Sequence, residues 1–161
     1  MKIWQLVHAG HPEWELQIYG GFGEEQEELL PMIKEMKANI KVHEPTQYIF
    51  DKYLDSSIFL LTSKFEPFGL VIPEAMSCGL PVVAFDCPYG PADIITDGID
   101  GFLVKNRNIT QFAEKVCLLI ENPELRRTMG QAGLQSSQRY AASLIMPKWK
   151  ALFEQVTSKK D

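Results

Sequence analysis

The sequence predicts an α/β fold, three layers deep (α/β/α), in which helices cover both faces of a mostly parallel sheet. Three observations carry this expectation. Strand-like and helix-like segments alternate about five times along the chain. Residues 58–62 (IFLLT) and 81–85 (PVVAF) are short apolar runs bounded by polar or turn residues, the mark of strands buried on both faces. The length, 161 residues, suits one domain spanning 1–161 rather than two.

In chain order, residues 2–9 place Ile3, Leu6 and Val7 on one helical face with Trp4 beside it, and Gly10 and Pro12 stop that helix. Residues 15–19 (ELQIY) read as a short strand closed by Gly20, Gly21, Phe22 and Gly23. Residues 24–37 read as a helix with Leu29, Leu30, Ile33 and Met36 inward and Pro31 as a kink or a late start. Residues 40–43 form a second strand, and residues 48–55 a short helix. The apolar run 58–62 leads through the loop SKFEPFG into a helix over 71–78, with Pro73 in its first turn and Gly79 as a left-handed stop. Strands follow at 81–85 and 101–104. Thr110 is placed to cap a helix running to Glu121, residues 123–133 form another, and residues 141–156 form a terminal helix with Ile145, Trp149, Leu152 and Phe153 on one side.

Composition narrows the function. Hydrophobic residues make up 45% and charged residues 23%, which excludes a disordered tail, a fibre and a multi-span membrane protein. The 16 Lys and Arg against 21 Asp and Glu give a net charge of −5, which does not favour general binding to a nucleic-acid backbone. The 3 cysteines, Cys78, Cys87 and Cys117, are odd in number and lack CxxC spacing. They indicate neither a disulfide framework nor a zinc site, and a reducing cytoplasm fits best. No secretory leader is visible at the start of the chain and no run of residues is long and apolar enough to span a bilayer, although a membrane-facing part can lie on sequence outside this chain.

In open parallel sheets, ligands bind at the carboxyl ends of the strands. The loop after Thr62 is therefore the first candidate. It opens a helix whose first amides lack internal partners and carry the positive end of the helix dipole. Gly69 lets a ligand approach the backbone, so the turn suits a diphosphate. Glu74, one turn inside the helix, suits a neighbouring diol such as ribose, and Glu66, on the loop, suits a sugar hydroxyl on the other side of the phosphates. The same acids also fit a plainer reading, a favourable first-turn acid and a solvated loop charge. Spacing alone leaves both open.

The string FEPFGLVIPEAMSCGLPVVAFDCPYGPADIITDGIDGFLV closely resembles the donor-binding half of retaining, nucleotide-sugar-dependent glycosyltransferases of the GT-B fold, family 4 (glycosyl transferases group 1), whose halves are Rossmann-like. The family's paired glutamates match Glu66 and Glu74. GLPVVAFD, then Gly90, Pro91 and Asp93, then DGxxGxLV at 97–104, follow in the family's order. The CPYGP variant resembles enzymes that build bacterial surface polysaccharide or glycolipid from UDP-sugars.

The resemblance implies roles for individual residues. Glu74 would bind the ribose hydroxyls. Glu66 would contact the donor sugar near the reacting carbon and is the catalytic candidate. Backbone amides around Phe68, Gly69 and Leu70 would hold the diphosphate, and Val42 and His43 would border the base through backbone atoms. No metal or other cofactor is expected, only the nucleotide-sugar donor as substrate. The reaction would transfer the sugar with retention, by stabilising the departing diphosphate and the positive sugar ring. The full enzyme would be cytoplasmic and peripheral at the inner membrane face.

The chain also departs from the family. Full-length members carry an acceptor-binding N-terminal domain of similar size, and a first strand with a Gly-Arg…Lys-Gly segment whose cations neutralise the diphosphate. Neither is found here, so the chain is expected to be a truncated C-terminal half that binds donor alone, with the N-terminal domain of the same polypeptide as its partner. Lys64 is the lone cation inside the motif. Two other readings stay open: a sugar-nucleotide epimerase domain, and a non-catalytic Rossmann-like interaction module.

The remaining candidates read more plainly. GGFG is not GxGxxG, and Glu24, Glu25, Glu27 and Glu28 follow it, which opposes phosphate. His8 and His11 read as surface histidines, Cys78 as a small buried residue, and Trp4, Trp14 and Trp149 as packing residues. The apolar face around Trp149 and Phe153 is expected to be partly exposed.

Overall fold

A computed structural model describes residues 1–20, 31–36 and 38–158. Helix α1 (Lys2–Gly10) is followed by strand β1 (Leu16–Tyr19), a helical segment α2 at 31–36, strand β2 (Ile40–His43) and helix α3 (Ile49–Leu54). Then come β3 (Phe59–Leu61), α4 (Val71–Ser77), β4 (Val82–Phe85), α5 (Pro91–Ile94) and β5 (Gly101–Val104). The last stretch is helical: α6 (Ile109–Glu121), α7 (Pro123–Ser137) and α8 (Ala142–Thr157). Among the described residues the strand pairings are all parallel, in a two-stranded set β1-β2 and a three-stranded set β3-β4-β5.

The alternation of side chains along a strand explains why the central runs are apolar throughout. Every residue of β4 is buried. Val83 and Phe85 point into one core with Phe102 and Val104 of β5, α1 and α6. Val82 and Ala84 point into a second core with α3, α4 and Ile94. Each such side chain removed from water contributes roughly 1.5–3 kcal/mol, so a polar substitution in β4 harms whichever face it meets. Leu16 of β1 and Ile40 of β2 pack against the first core, which ties both strand sets to one helical layer.

Two glycines set the distance between α4 and α7. A Cβ on Gly130 would lie 2.0 Å from the Gly79 carbonyl oxygen, and one on Gly133 would lie 3.4 Å from Met76 Cγ. The 97–104 motif is held by its own hydrogen bonds. Asp97 accepts from the Leu103 amide at 2.9 Å, and buried Asp100 accepts from the Thr96 amide at 2.7 Å and from Ser136 Oγ at 2.6 Å. Gly101 lies where a Cβ would meet Val82 O at 2.9 Å.

Several expectations need correction. Asn108, not Thr110, caps α6, because its side chain accepts from the Gln111 amide at 3.0 Å. Helix α7 runs to Ser137, past Gly133, and α5 was not foreseen. In α1 the buried face is Ile3, Trp4 and Val7, and Leu6 is exposed. Trp149, by contrast, lies on the exposed face expected for it and Phe153. It is half exposed and stacks on Phe153, and α8 buries none of its residues. The segment expected as a helix over 24–37 is helical at 31–36; its Leu29 and Leu30, and the turn at Gly21, Phe22 and Gly23, lie outside the described residues.

Candidate functional site

Because β3, β4 and β5 are parallel neighbours, the loops after Leu61, Phe85 and Val104 leave the sheet on one edge. The loop after β3 carries Glu66, Phe68, Gly69 and Leu70 and runs into α4, where Glu74 sits in the first turn. Ile72, Pro73, Ala75 and Met76 bury one side of α4, which leaves Glu74 half-buried on the other.

Gly69 has φ +85°, in the left-handed region that favours glycine. Its carbonyl accepts the Ile72 amide at 2.9 Å, and the Leu70 carbonyl accepts the Glu74 amide at 3.1 Å. Among the described residues, the amides of Phe68, Gly69 and Leu70 donate to no carbonyl. These free donors sit beside Glu66, since a Cβ built on Gly69 would lie 3.8 Å from Glu66 Oε2.

The loop after β4 closes on the same turn. Gly90 has φ 72° and ψ −79°, and its Cα sits so near Phe68 that a Cβ would lie 2.3 Å from the Phe68 carbonyl oxygen and 3.3 Å from that of Glu66. The exposed rings of Phe65 and Tyr89 meet edge to face, 6.0 Å between centroids, where these loops touch.

Each acid has a neighbour that orients it. Ser63 Oγ donates to Glu66 Oε1 at 2.9 Å. Tyr53 of α3 donates its hydroxyl to Glu74 Oε2 at 3.5 Å. Burial, reinforced by the Glu74 charge, pushes the Tyr53 phenol up to about 12, so it stays protonated and remains a donor. The Glu74 Oε1 atom accepts from no protein group among the described residues. Burial, and then the nearness of Glu66, pushes the Cys87 thiol up and makes it a poor nucleophile.

Val42 and His43 lie on the β1-β2 set. His43 stacks on Tyr19 with ring centroids 4.5 Å apart. Its Nε2 is buried without a hydrogen-bond partner among the described residues. No hydrogen bond or ring contact among those residues joins it to the Glu66 loop. His11 is held by Glu121 at 3.0 Å. Among the described residues, no three His, Cys, Asp or Glu side chains gather as a metal site, and no helix is long and apolar enough to cross a membrane.

Sequence reasoning missed Tyr53, Ser63 and Arg107. The Arg107 guanidinium donates to the carbonyls of Ser63 at 2.9 Å and Thr62 at 3.2 Å, and lies over the Phe85 ring at 4.6 Å. These partners are up to 45 residues away in the chain, so no local pattern announces them.

Comparison with known proteins identifies the family and the fold. The profile of glycosyl transferases group 1 matches residues 2–136. The amylovoran biosynthesis glycosyltransferase AmsD of Erwinia amylovora is 36% identical over 151 residues, covering 92% of this chain and 42% of that protein. The structure of the pneumococcal O-GlcNAc transferase GtfA in complex with UDP and GlcNAc superposes with a TM-score of 0.88 at 29% identity, over 97% of this chain and 32% of that one. Anabaena HepE in complex with UDP-glucose superposes at 0.82 with 26% identity, over 94% of this chain and 44% of that one. The chain thus spans less than half the length of each of these relatives. Fold and profile match agree: the chain belongs to the glycosyl transferases group 1 family, as a Rossmann-like half of the GT-B fold.

Proposed function

We propose that this chain is the nucleotide-sugar-binding domain of a retaining glycosyltransferase that takes a UDP-sugar as donor and works in the assembly of cell-surface polysaccharide or glycolipid. The observation that carries the reading is the set of free amides at Phe68, Gly69 and Leu70, beside Glu66 and followed by Glu74 one helical turn on. Free amides suit the oxygens of a diphosphate and supply binding without net positive charge. Glu74, held on one oxygen by Tyr53, accepts ribose hydroxyls with the other. Glu66 contacts the donor sugar near its anomeric carbon. Val42 and His43 border the base. The complexes of GtfA with UDP and GlcNAc and of HepE with UDP-glucose support UDP as the nucleotide.

In transfer, the bond from the anomeric carbon to the diphosphate oxygen breaks, the acceptor hydroxyl oxygen bonds to that carbon on the same face, and the hydroxyl proton passes to the departing diphosphate oxygen. The amides stabilise the charge that gathers on the departing diphosphate, and the Glu66 carboxylate faces the positive ring. The acceptor is supplied from an N-terminal domain of the same polypeptide, so this chain alone binds donor without transferring sugar. Like the donor chemistry, a cytoplasmic place and independence from metal belong to this proposal.

Calorimetric titration with UDP, GDP, ADP and their sugars tests it. Saturable binding of UDP, tightened by an attached sugar, is the expected result. No saturation by any of them would favour an interaction module that has lost its ligand. Glu66→Ala should weaken the UDP-sugar more than bare UDP, and equal effects would move Glu66 away from the sugar.

A further inference from the structure

The turn that ends β5 holds two successive non-glycine residues in the left-handed region, Asn106 at φ 53° and Arg107 at φ 50°. Such a conformation is unfavourable for any residue with a Cβ and persists where surrounding contacts over-determine it. Here the contacts are those of the Arg107 side chain. The turn throws the guanidinium back across the Phe85 ring, 4.6 Å from its centroid, and aims both ends of the fork at the end of β3. Nη1 donates to the Ser63 carbonyl at 2.9 Å and Nη2 to the Thr62 carbonyl at 3.2 Å.

Those two carbonyls open the loop that follows β3 and carries Glu66. A planar fork bound to consecutive carbonyls fixes the orientation of both peptide planes, which a single donor cannot do. It therefore fixes the direction in which Ser63 projects. Ser63 Oγ in turn donates to Glu66 Oε1 at 2.9 Å. We propose that Arg107 is a positioning residue: its fork locks the end of β3 so that Ser63 holds the Glu66 carboxylate toward the donor sugar. Both ends of the fork are engaged by carbonyls and one face of the guanidinium covers Phe85, so the group acts through the backbone rather than as a phosphate ligand. This inference rests on the proposed donor-binding role of Glu66.

The test is calorimetry on the whole chain with UDP, UDP-glucose and UDP-N-acetylglucosamine as probes. The quantity read is the sugar increment, the ratio of the dissociation constant for UDP to that for the UDP-sugar. Arg107→Ala should cut the increment by about three- to tenfold, the worth of one well-placed hydrogen bond, and leave UDP affinity within about twofold. Arg107→Lys keeps the charge without the fork and should not restore it. Ser63→Ala, a milder change that keeps the folded turn, should lose the same increment. Adding Arg107→Ala to Glu66→Ala should cost no further increment than Glu66→Ala alone, because both act through one carboxylate. An unchanged increment in Arg107→Ala or Ser63→Ala, full rescue by Lys, or equal loss toward UDP and UDP-sugar overturns the inference while UDP binding by the unsubstituted chain still upholds the proposed function. Failure of the unsubstituted chain to bind UDP overturns both.

Discussion

Gly90→Ala tests the contact between the loops after β3 and β4. The added Cβ would lie 2.3 Å from the Phe68 carbonyl oxygen and 2.7 Å from its carbonyl carbon. To reach even 3.0 Å, the shortest separation that side chains tolerate, the Phe68 carbonyl must retreat by about 0.7 Å. Both partners are backbone, so no side-chain rotation relieves the overlap. Overpacking of this kind costs about 1–3 kcal/mol, and the positive φ of 72° adds roughly 1–2 kcal/mol for a residue with a Cβ. Gly98→Ala is the matched control. Its φ is 79° and nothing lies within 4 Å of its Cβ, so it carries the backbone cost alone. Denaturant unfolding of the two variants should therefore differ by about 1–3 kcal/mol, with Gly90→Ala the less stable. The displaced carbonyl belongs to the Phe68–Gly69 peptide, whose amide faces the proposed diphosphate. UDP affinity should thus fall about tenfold or more in Gly90→Ala, the loss of one hydrogen bond to a charged acceptor, and stay unchanged in Gly98→Ala. Equal stabilities would refute the steric reasoning, and unchanged UDP affinity in Gly90→Ala would separate this turn from the ligand.

Asp100→Ala leaves the Thr96 amide and Ser136 hydroxyl without their acceptor, and stability should fall by about 1–3 kcal/mol or more, read as a lower Tm, with UDP affinity kept if the 97–104 turn is structural. The Tyr53 phenol titrates near 12 in the folded chain against 10.0 ordinarily, so the folded state holds that proton more tightly. Its contribution to stability is complete below about pH 10 and is lost as pH rises through about 12, and Glu74→Gln should move the tyrosinate absorbance transition to lower pH by removing the neighbouring charge. A chelator should leave UDP affinity unchanged in titration, and a loss restored by a divalent cation would contradict metal-free binding.

The layers of the fold were legible because each strand is a short chemical pattern. Val82 to Phe85 are apolar on both faces, and a strand buried between two helical layers has to be. Glu66, Gly69 and Glu74 were legible too, since the loop, the positive-φ turn and the helix follow one another directly in the chain. What surrounds them was not. Arg107 reaches the Ser63 carbonyl from 44 residues away, and Tyr53 reaches Glu74 from 21, so both contacts exist only after the sheet has formed. The Asn108 cap was mistaken for Thr110 because both residue types accept the same hydrogen bond, and only the path out of the Asn106 and Arg107 turn selects between them. Gly90 was read as a motif letter; its physical reason, the Phe68 carbonyl where a Cβ would go, appears only across two loops.

In the proposed site the acids around the Gly69 turn bracket a nucleoside diphosphate. Calorimetry of UDP with the unsubstituted chain and with Glu74→Ala tests it most directly. Two charge-assisted hydrogen bonds to ribose hydroxyls, each worth about 1.5–3 kcal/mol, predict that the variant binds UDP roughly a hundredfold or more weakly while its fold is kept. An identical dissociation constant for both proteins would contradict the claim.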